Sequence, residues 1–160
     1  MTEKDKELQL HKKRPVSFGY RVAVLARLQA QIMTPRVEAL GLSYCGVPIM
    51  AELYFLEREV TQDELVTRLL LDKAAVARTL GDLEKRGLVL RRVNPDNRRQ
   101  KLVAPSEEGW KLHEQLCSEL RSMSSVLADG FTDDERELAL QLLDRMIING
   151  MRYKNAMQDV

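Results

Sequence analysis

The sequence is poor in the residues that build secreted and catalytic scaffolds. Two cysteines in 160 residues, Cys45 and Cys117, are too few for a disulfide framework and match no zinc-ligand spacing. Reduced thiols predict a cytoplasmic protein. The two histidines, His11 and His113, stand outside any H-E-x-x-H arrangement. No G-x-S-x-G, phosphate loop or dinucleotide fingerprint occurs. Nothing therefore argues for an enzyme, a metal site or a cofactor. No apolar run approaches the ~18–20 residues that a membrane helix needs, and the polar N-terminus has no signal-peptide pattern. No membrane association is expected. Aromatics are only 5%, and the core must come from aliphatic residues, which leans towards helix.

Net charge is scarce too, at +1, but the scarcity hides a segregation. Residues 1–71 carry 10 cations and 9 acids, and are balanced. Residues 72–105 carry 9 cations and 4 acids, whereas residues 106–160 carry 6 cations and 11 acids. A basic centre inside a neutral chain points to contact with nucleic acid.

The apolar spacing predicts six helices and one hairpin. Residues 1–14 read as a frayed polar arm. From Val16 onward, Phe18, Val22, Leu25, Leu28 and Ile32 recur at helical steps; Pro35 should bend or interrupt this helix, and Gly41 closes the segment. A second helix is expected over 44–57, with Ser43 as N-cap and Pro48 in the first turn. Thr61 and Glu64 form a capping box for a third, over 62–69. Asp72 caps a fourth over 73–86, whose buried stripe is Val76, Leu80 and Leu83 and whose stop is Gly87. Two β-prone strands, 88–93 and 99–104, flank "NPDNRR", which has the chemistry of a turn. Ser106 caps a fifth helix, 107–128. Its seam Leu112, Leu116, Leu120, Met123 and Leu127 suggests a zipper against a second copy, or packing within one chain. Thr132 and Glu135 box a sixth, about 133–153, with Leu138, Leu142, Met146 and Ile147 on one side.

The functional object is an order of elements: short helix, tight turn, second helix, then a basic hairpin. The stretch "RRVNPDNRRQK", Arg91 to Lys101, holds five cations and one acid. A basic hairpin alone is commonly a solvated turn. Placed directly after a helix-turn-helix, it can reach a DNA minor groove while the preceding helix enters the major groove. The competing reading is a winged-helix module that holds an acidic partner protein.

Residues 61–109, "TQDELVTRLLLDKAAVARTLGDLEKRGLVLRRVNPDNRRQKLVAPSEEG", resemble the core of the MarR family of winged-helix transcriptional regulators. The shared pattern is T-Q-x-x-L, then D-K-x-x-V-x-R, L-E-x-x-G-L-V, a P-x-x-R-R wing tip and a final x-x-G. The resemblance implies a mainly α fold with a small β-hairpin wing, in a single domain of two lobes. The winged-helix lobe would span about 44–104, and a helical dimerisation lobe about 8–40 and 106–155. It implies a homodimeric regulator, most often a repressor, that binds double-stranded DNA at a pseudo-palindromic operator and is released by a small effector of unknown identity. Gln62 would lie near the phosphate backbone. Lys73, Ala74, Ala75, Ala77, Arg78 and Thr79 would lie on the recognition helix, with Arg78 the best base or phosphate contact. Asn97, Arg98 and Arg99 would form the wing tip. Asn97 stands where the family has aspartate, which leaves open how the wing arginine is held.

Cys45 could sense oxidants, but a small buried residue on the second helix is the simpler reading, and Cys117 reads as packing. Met33, Met50 and Met123 read as core or as the lining of a pocket. Tyr44, Tyr54 and Arg21 could meet in a crevice suited to an aromatic acid.

Overall fold

The computed structural model describes residues 17–158. The expected polar arm over 1–14 lies outside them, as does Val16. The elements follow in the order α1 (Phe18–Glu38), a one-turn 3-10 helix (Tyr44–Gly46), α2 (Val47–Leu56), β1 (Val60–Thr61), α3 (Gln62–Leu69), α4 (Lys73–Lys85), β2 (Val89–Val93), β3 (Lys101–Pro105), α5 (Glu107–Lys111), α6 (His113–Leu127) and α7 (Asp133–Gln158). The chain divides into two compact units after Leu120.

The first unit is built around one aliphatic core. Ile49, Met50 and Leu53 of α2 are fully buried, with Leu65 of α3, Val76, Leu80 and Leu83 of α4, and Val60, Val89 and Val103 from the strands. Each such side chain contributes roughly 1.5–3 kcal/mol by leaving water. Met33 and Val37, on the last turns of α1, are buried as well. The three strands order as β1-β3-β2, all antiparallel, with Val60 opposite Val103 and Arg91 opposite Val103 on its other side. The two-residue strand β1 lies outside the sequence reading: a pair of residues is too short for an alternating pattern to show.

Several boundaries differ from expectation, each for a local reason. Pro35 lies inside a continuous α1 and does not interrupt it. Proline has no N–H to give, yet the helix runs only three residues beyond it. Ser17 caps this helix, accepting from the Tyr20 N–H at 3.1 Å. The expected helix over 44–57 is a 3-10 turn followed by α2, and Ser43 makes no capping hydrogen bond. Thr61 accepts from the Glu64 N–H at 3.1 Å, but the Glu64 carboxylate turns to Arg58 and the box is half closed. The box at Thr132 is complete, with bonds of 2.9 and 3.2 Å to Glu135. The fifth helix is split at Leu112. Leu116 is wholly buried in the single chain, as is Met123, so these seam positions are not left for a second copy. Cys45 is exposed on the 3-10 turn, contrary to the buried reading, and Cys117 is half-buried.

A polar node ties the wing to the helices. Ser106 accepts from the Gly109 N–H at 2.9 Å and donates to the Gly87 carbonyl, and its own N–H reaches the Leu88 carbonyl at 3.0 Å. The buried Tyr54 hydroxyl donates to the Gly109 carbonyl. Burial, and after it the nearby Cys117 thiol, pushes that hydroxyl up to about 12, so it stays a donor at any physiological pH. Gly87 sits at φ +72, the left-handed region, which ends α4 and turns the chain into β2. Gly109 is required for a different reason: a Cβ there would run into the Leu88 carbonyl oxygen.

The second unit holds the end of α6 and the whole of α7. Leu138, Leu140, Leu142, Leu143, Ile147, Ile148 and Met151 of α7 are all exposed. So are Phe18, Val22, Leu25, Leu28 and Ile32, the apolar stripe of α1 in the first unit.

Gly109→Ala is expected to lower stability by about 1–3 kcal/mol, through a clash with backbone that cannot rotate away. Thermal unfolding checks it: a melting temperature equal to that of the wild type would contradict the packing described.

Candidate nucleic-acid interface

The helix-turn-helix is set by caps at both sides of a short turn. Leu70 ends α3 in the left-handed region at φ 54, a conformation that costs a non-glycine residue about 1–2 kcal/mol. Two residues later the Asp72 side chain accepts from the Ala75 N–H at 2.7 Å and starts α4. Because Val76, Leu80 and Leu83 are buried, the opposite stripe of α4 must face out. Ala74 and Arg78 are exposed there and Lys73 is exposed at the start of the helix, whereas Ala75, Ala77 and Thr79 are half-buried. The six α4 residues named from sequence therefore divide into an outward set and a set turned towards the body.

The wing loop is ordered by two asparagines. The Asn94 Oδ1 accepts from the Asp96 N–H at 3.0 Å, and the Asn97 Oδ1 from the Arg99 N–H at 3.1 Å. Backbone bonds Asn94 N to Gln100 O and Gln100 N to Asn97 O close the loop at 3.0 and 2.9 Å. Asn97 thus supplies the acceptor that an aspartate would, without its charge. The tip is held through the Arg99 backbone, and the Arg98 and Arg99 side chains project into solvent.

The five cations of the wing are not equivalent. Arg91 makes two hydrogen bonds to Glu84, one at 2.8 Å, and Arg92 makes two to Glu59, one at 2.6 Å. Those pairs fasten β2 to α4 and to the residue before β1. The bonds from Arg92 and Arg91 hold the Glu59 and Glu84 carboxyls below the ordinary glutamate range. Among the described residues no ion pair engages Arg98, Arg99, Lys101 or Arg78. So two of the five wing cations are structural, a division the bare count could not show.

Gln62, at the first turn of α3, meets Lys73 and Arg99 across a small cleft that also includes Asp63, Gln100 and Lys101. Of these, Asp63, Gln100 and Lys101 were not named as site residues from the sequence, although Lys101 is one of the five cations counted in the wing. Behind α4 lies a larger cavity of about 750 Å³ whose walls include Met33, Tyr44, Cys45, Ala75, Arg78 and Thr79. Of the three residues expected in an effector crevice, only Tyr44 lines it. Tyr54 is committed to Gly109, and the Arg21 guanidinium reaches the Ser17 carbonyl at 3.5 Å. Met50 is core. Among the described residues no cluster of three His, Cys, Asp or Glu could hold a metal ion.

A family model described as the MarR family matches residues 47–100, from α2 to the end of the wing loop. Over that stretch the chain is similar to the MarR family. An uncharacterized HTH-type transcriptional regulator of Bacillus subtilis strain 168, YdgJ, is 30% identical over 106 residues, which is 66% of this chain. The match spans 64% of that regulator's length. A MarR transcriptional regulator from Methanosarcina mazei superposes with a TM-score of 0.79 at 25% identity, covering 84% of this chain and 96% of the other. A MarR-family regulator from Listeria monocytogenes, solved with 26mer DNA, gives a TM-score of 0.75 at 25% identity over 84% of this chain and 89% of its own. These relatives and neighbours are transcriptional regulators, and the mainly helical chain with its three-stranded sheet is a winged helix.

The two wing pairs carry a pH signature. Each glutamate has a folded pKa below its unfolded one, so its contribution is present above the ordinary carboxylate range and is lost as pH falls through the lowered value. Replacing Arg92 by alanine should return the Glu59 titration to the ordinary range, read by carboxyl carbon NMR. An unchanged Glu59 midpoint would show that the pair is not formed in solution.

Proposed function

We propose that this chain is a sequence-specific, double-stranded-DNA-binding transcriptional repressor that acts as a homodimer in the cytoplasm. The observation that carries the proposal is the division of charge. The wing cations near the body are paired with glutamates, while Arg98 and Arg99 at the tip and Arg78 on α4 have no ion-pair partner among the described residues. Keeping such cations unpaired favours a polyanion. α4 would enter the major groove, with Lys73, Ala74 and Arg78 towards the DNA and Gln62 beside the backbone. Arg98 would enter the adjacent minor groove, where narrow A·T tracts concentrate negative potential. Ala75, Ala77 and Thr79 then act mainly through the fit of the helix, the two alanines with only apolar contacts to offer. Asn97 and Arg99 complete the wing contact. The Listeria neighbour's complex with 26mer DNA supports this reading by analogy.

Dimerisation has support in the exposed apolar faces of α1 and α7, each too extensive for an isolated soluble helix. Two recognition helices about 34–36 Å apart would read a pseudo-palindromic operator. No helix among the described residues is long and apolar enough to cross a membrane. The cavity behind α4 is of the size that holds a small effector, and Arg78 and Thr79 in its wall belong to the recognition helix, so an occupant would touch the DNA-reading element directly.

Fluorescence anisotropy with DNA from upstream of the gene, against a scrambled duplex, tests the proposal. Selective binding with a steep salt slope is expected. Arg98→Ala should weaken binding to both duplexes, and its unchanged affinity at moderate salt would remove the wing from the interface. In sedimentation equilibrium the wild type should run at twice the chain mass. Leu25→Glu on α1 and Ile147→Glu on α7 should each shift it towards the monomer, and a wild-type monomer would refute the dimer.

A further inference from the structure

The small cleft beside the wing has its own electrostatic logic. It encloses about 200 Å³ between the first turns of α3 and α4 and the wing loop where it enters β3, and it is lined by Gln62, Asp63, Lys73, Arg99, Gln100 and Lys101. Three cations face one acid. Lys73 Nζ lies 2.8 Å from Asp63 Oδ1, with both side chains largely exposed. No ion pair among the described residues engages Arg99 or Lys101. The cleft is therefore a net cationic hollow in which one carboxylate already occupies one ammonium.

Resting on the DNA-binding reading above, we propose that this cleft seats one phosphodiester of the DNA backbone, and that Asp63 holds the place until DNA arrives. In free protein Asp63 keeps the Lys73 ammonium over the cleft. On binding, Lys73 exchanges the carboxylate for a phosphate oxygen, with Arg99, Lys101 and the two amides around the same group. The residue types suit an exchange. A lysine ammonium is a point charge with three rotatable donors on a flexible stem, so it changes partner without dismantling a fixed geometry. Arg91 and Arg92 are the contrast: each makes two hydrogen bonds to one glutamate, and each holds strands in place. An exposed Lys–Asp pair is worth little in water, so breaking it is cheap. After the exchange, the Asp63 charge remains beside the phosphate and opposes it. Asp63 is thus a positioning residue that also limits affinity for any DNA, whatever its sequence, because phosphates carry no sequence information.

Anisotropy at several salt concentrations tests this with full-length variants of matched thermal stability. Asp63→Asn should tighten binding about two- to fivefold per cleft, equally on upstream and scrambled DNA. Lys73→Gln should weaken binding and reduce the salt slope by about one per cleft. In a Lys73→Gln background, Asp63→Asn should lose most of its gain. No gain from Asp63→Asn, or the same gain in both backgrounds, would overturn the exchange. Inorganic phosphate at matched ionic strength should displace DNA no better than chloride; strong displacement would make the cleft a free-phosphate site and overturn its assignment to DNA. If the wild type binds no DNA even at low salt, the repressor reading falls and this inference with it. If the wild type binds and only the variants depart from expectation, the inference alone falls.

Discussion

The winged helix hangs on Ser106. Its hydroxyl caps α5 through the Gly109 N–H and donates to the Gly87 carbonyl, and its N–H satisfies Leu88. One small side chain thereby joins the end of α4 to the end of β3. Tyr54 closes the same node from α2 by its bond to the Gly109 carbonyl. None of these groups is near the wing tip, yet they fix the angle at which the hairpin leaves α4. The node also makes Gly109 obligatory, since the backbone crossing leaves no room for a Cβ. Position and chemistry are thus separated: buried neutral hydrogen bonds set the geometry, and exposed charges are left for a partner.

That separation explains the placement of charge. A hairpin with five cations would repel itself if all were free. Two of them lie on β2 and are tied to Glu59 and Glu84, which braces the strand against α4 and the approach to β1. The remaining cations gather at the loop end of the wing, where Arg99 and Lys101 share a cleft with Lys73. The 11 acids of residues 106–160, against 6 cations, are what make a net +1 chain compatible with a cationic surface. Distribution decides what such a surface meets; the total says little.

Much of the fold was legible because its elements begin and end with strong local signals. Thr61, Asp72, Ser106 and Thr132 each start a helix where a capping residue precedes an apolar pattern, and Gly87 ends α4 as its position suggests. The misreadings arise where tertiary contacts override local rules. Leu70 adopts a left-handed turn with no glycine to announce it. β1 exists only because β3 pairs with it. Glu64 leaves its capping box for Arg58, a residue six positions back. The seam of the fifth helix was partly misassigned because burial within a chain and burial between chains leave the same spacing; Leu116 is spent on the chain's own core. At the site, the arginines could be named from the sequence, but not sorted, since pairing depends on which acids the fold brings near. Asp63 went unread for the same reason.

The central claim is that the α4 face and the wing tip meet DNA while the paired strand arginines do not. Amide hydrogen exchange, read by mass spectrometry with and without the upstream duplex, tests this most directly. The account predicts added protection in peptides covering 73–79 and 94–100, with little change at 89–92. Protection confined to α1 or α7, with the wing tip unaltered at saturating DNA, would contradict it.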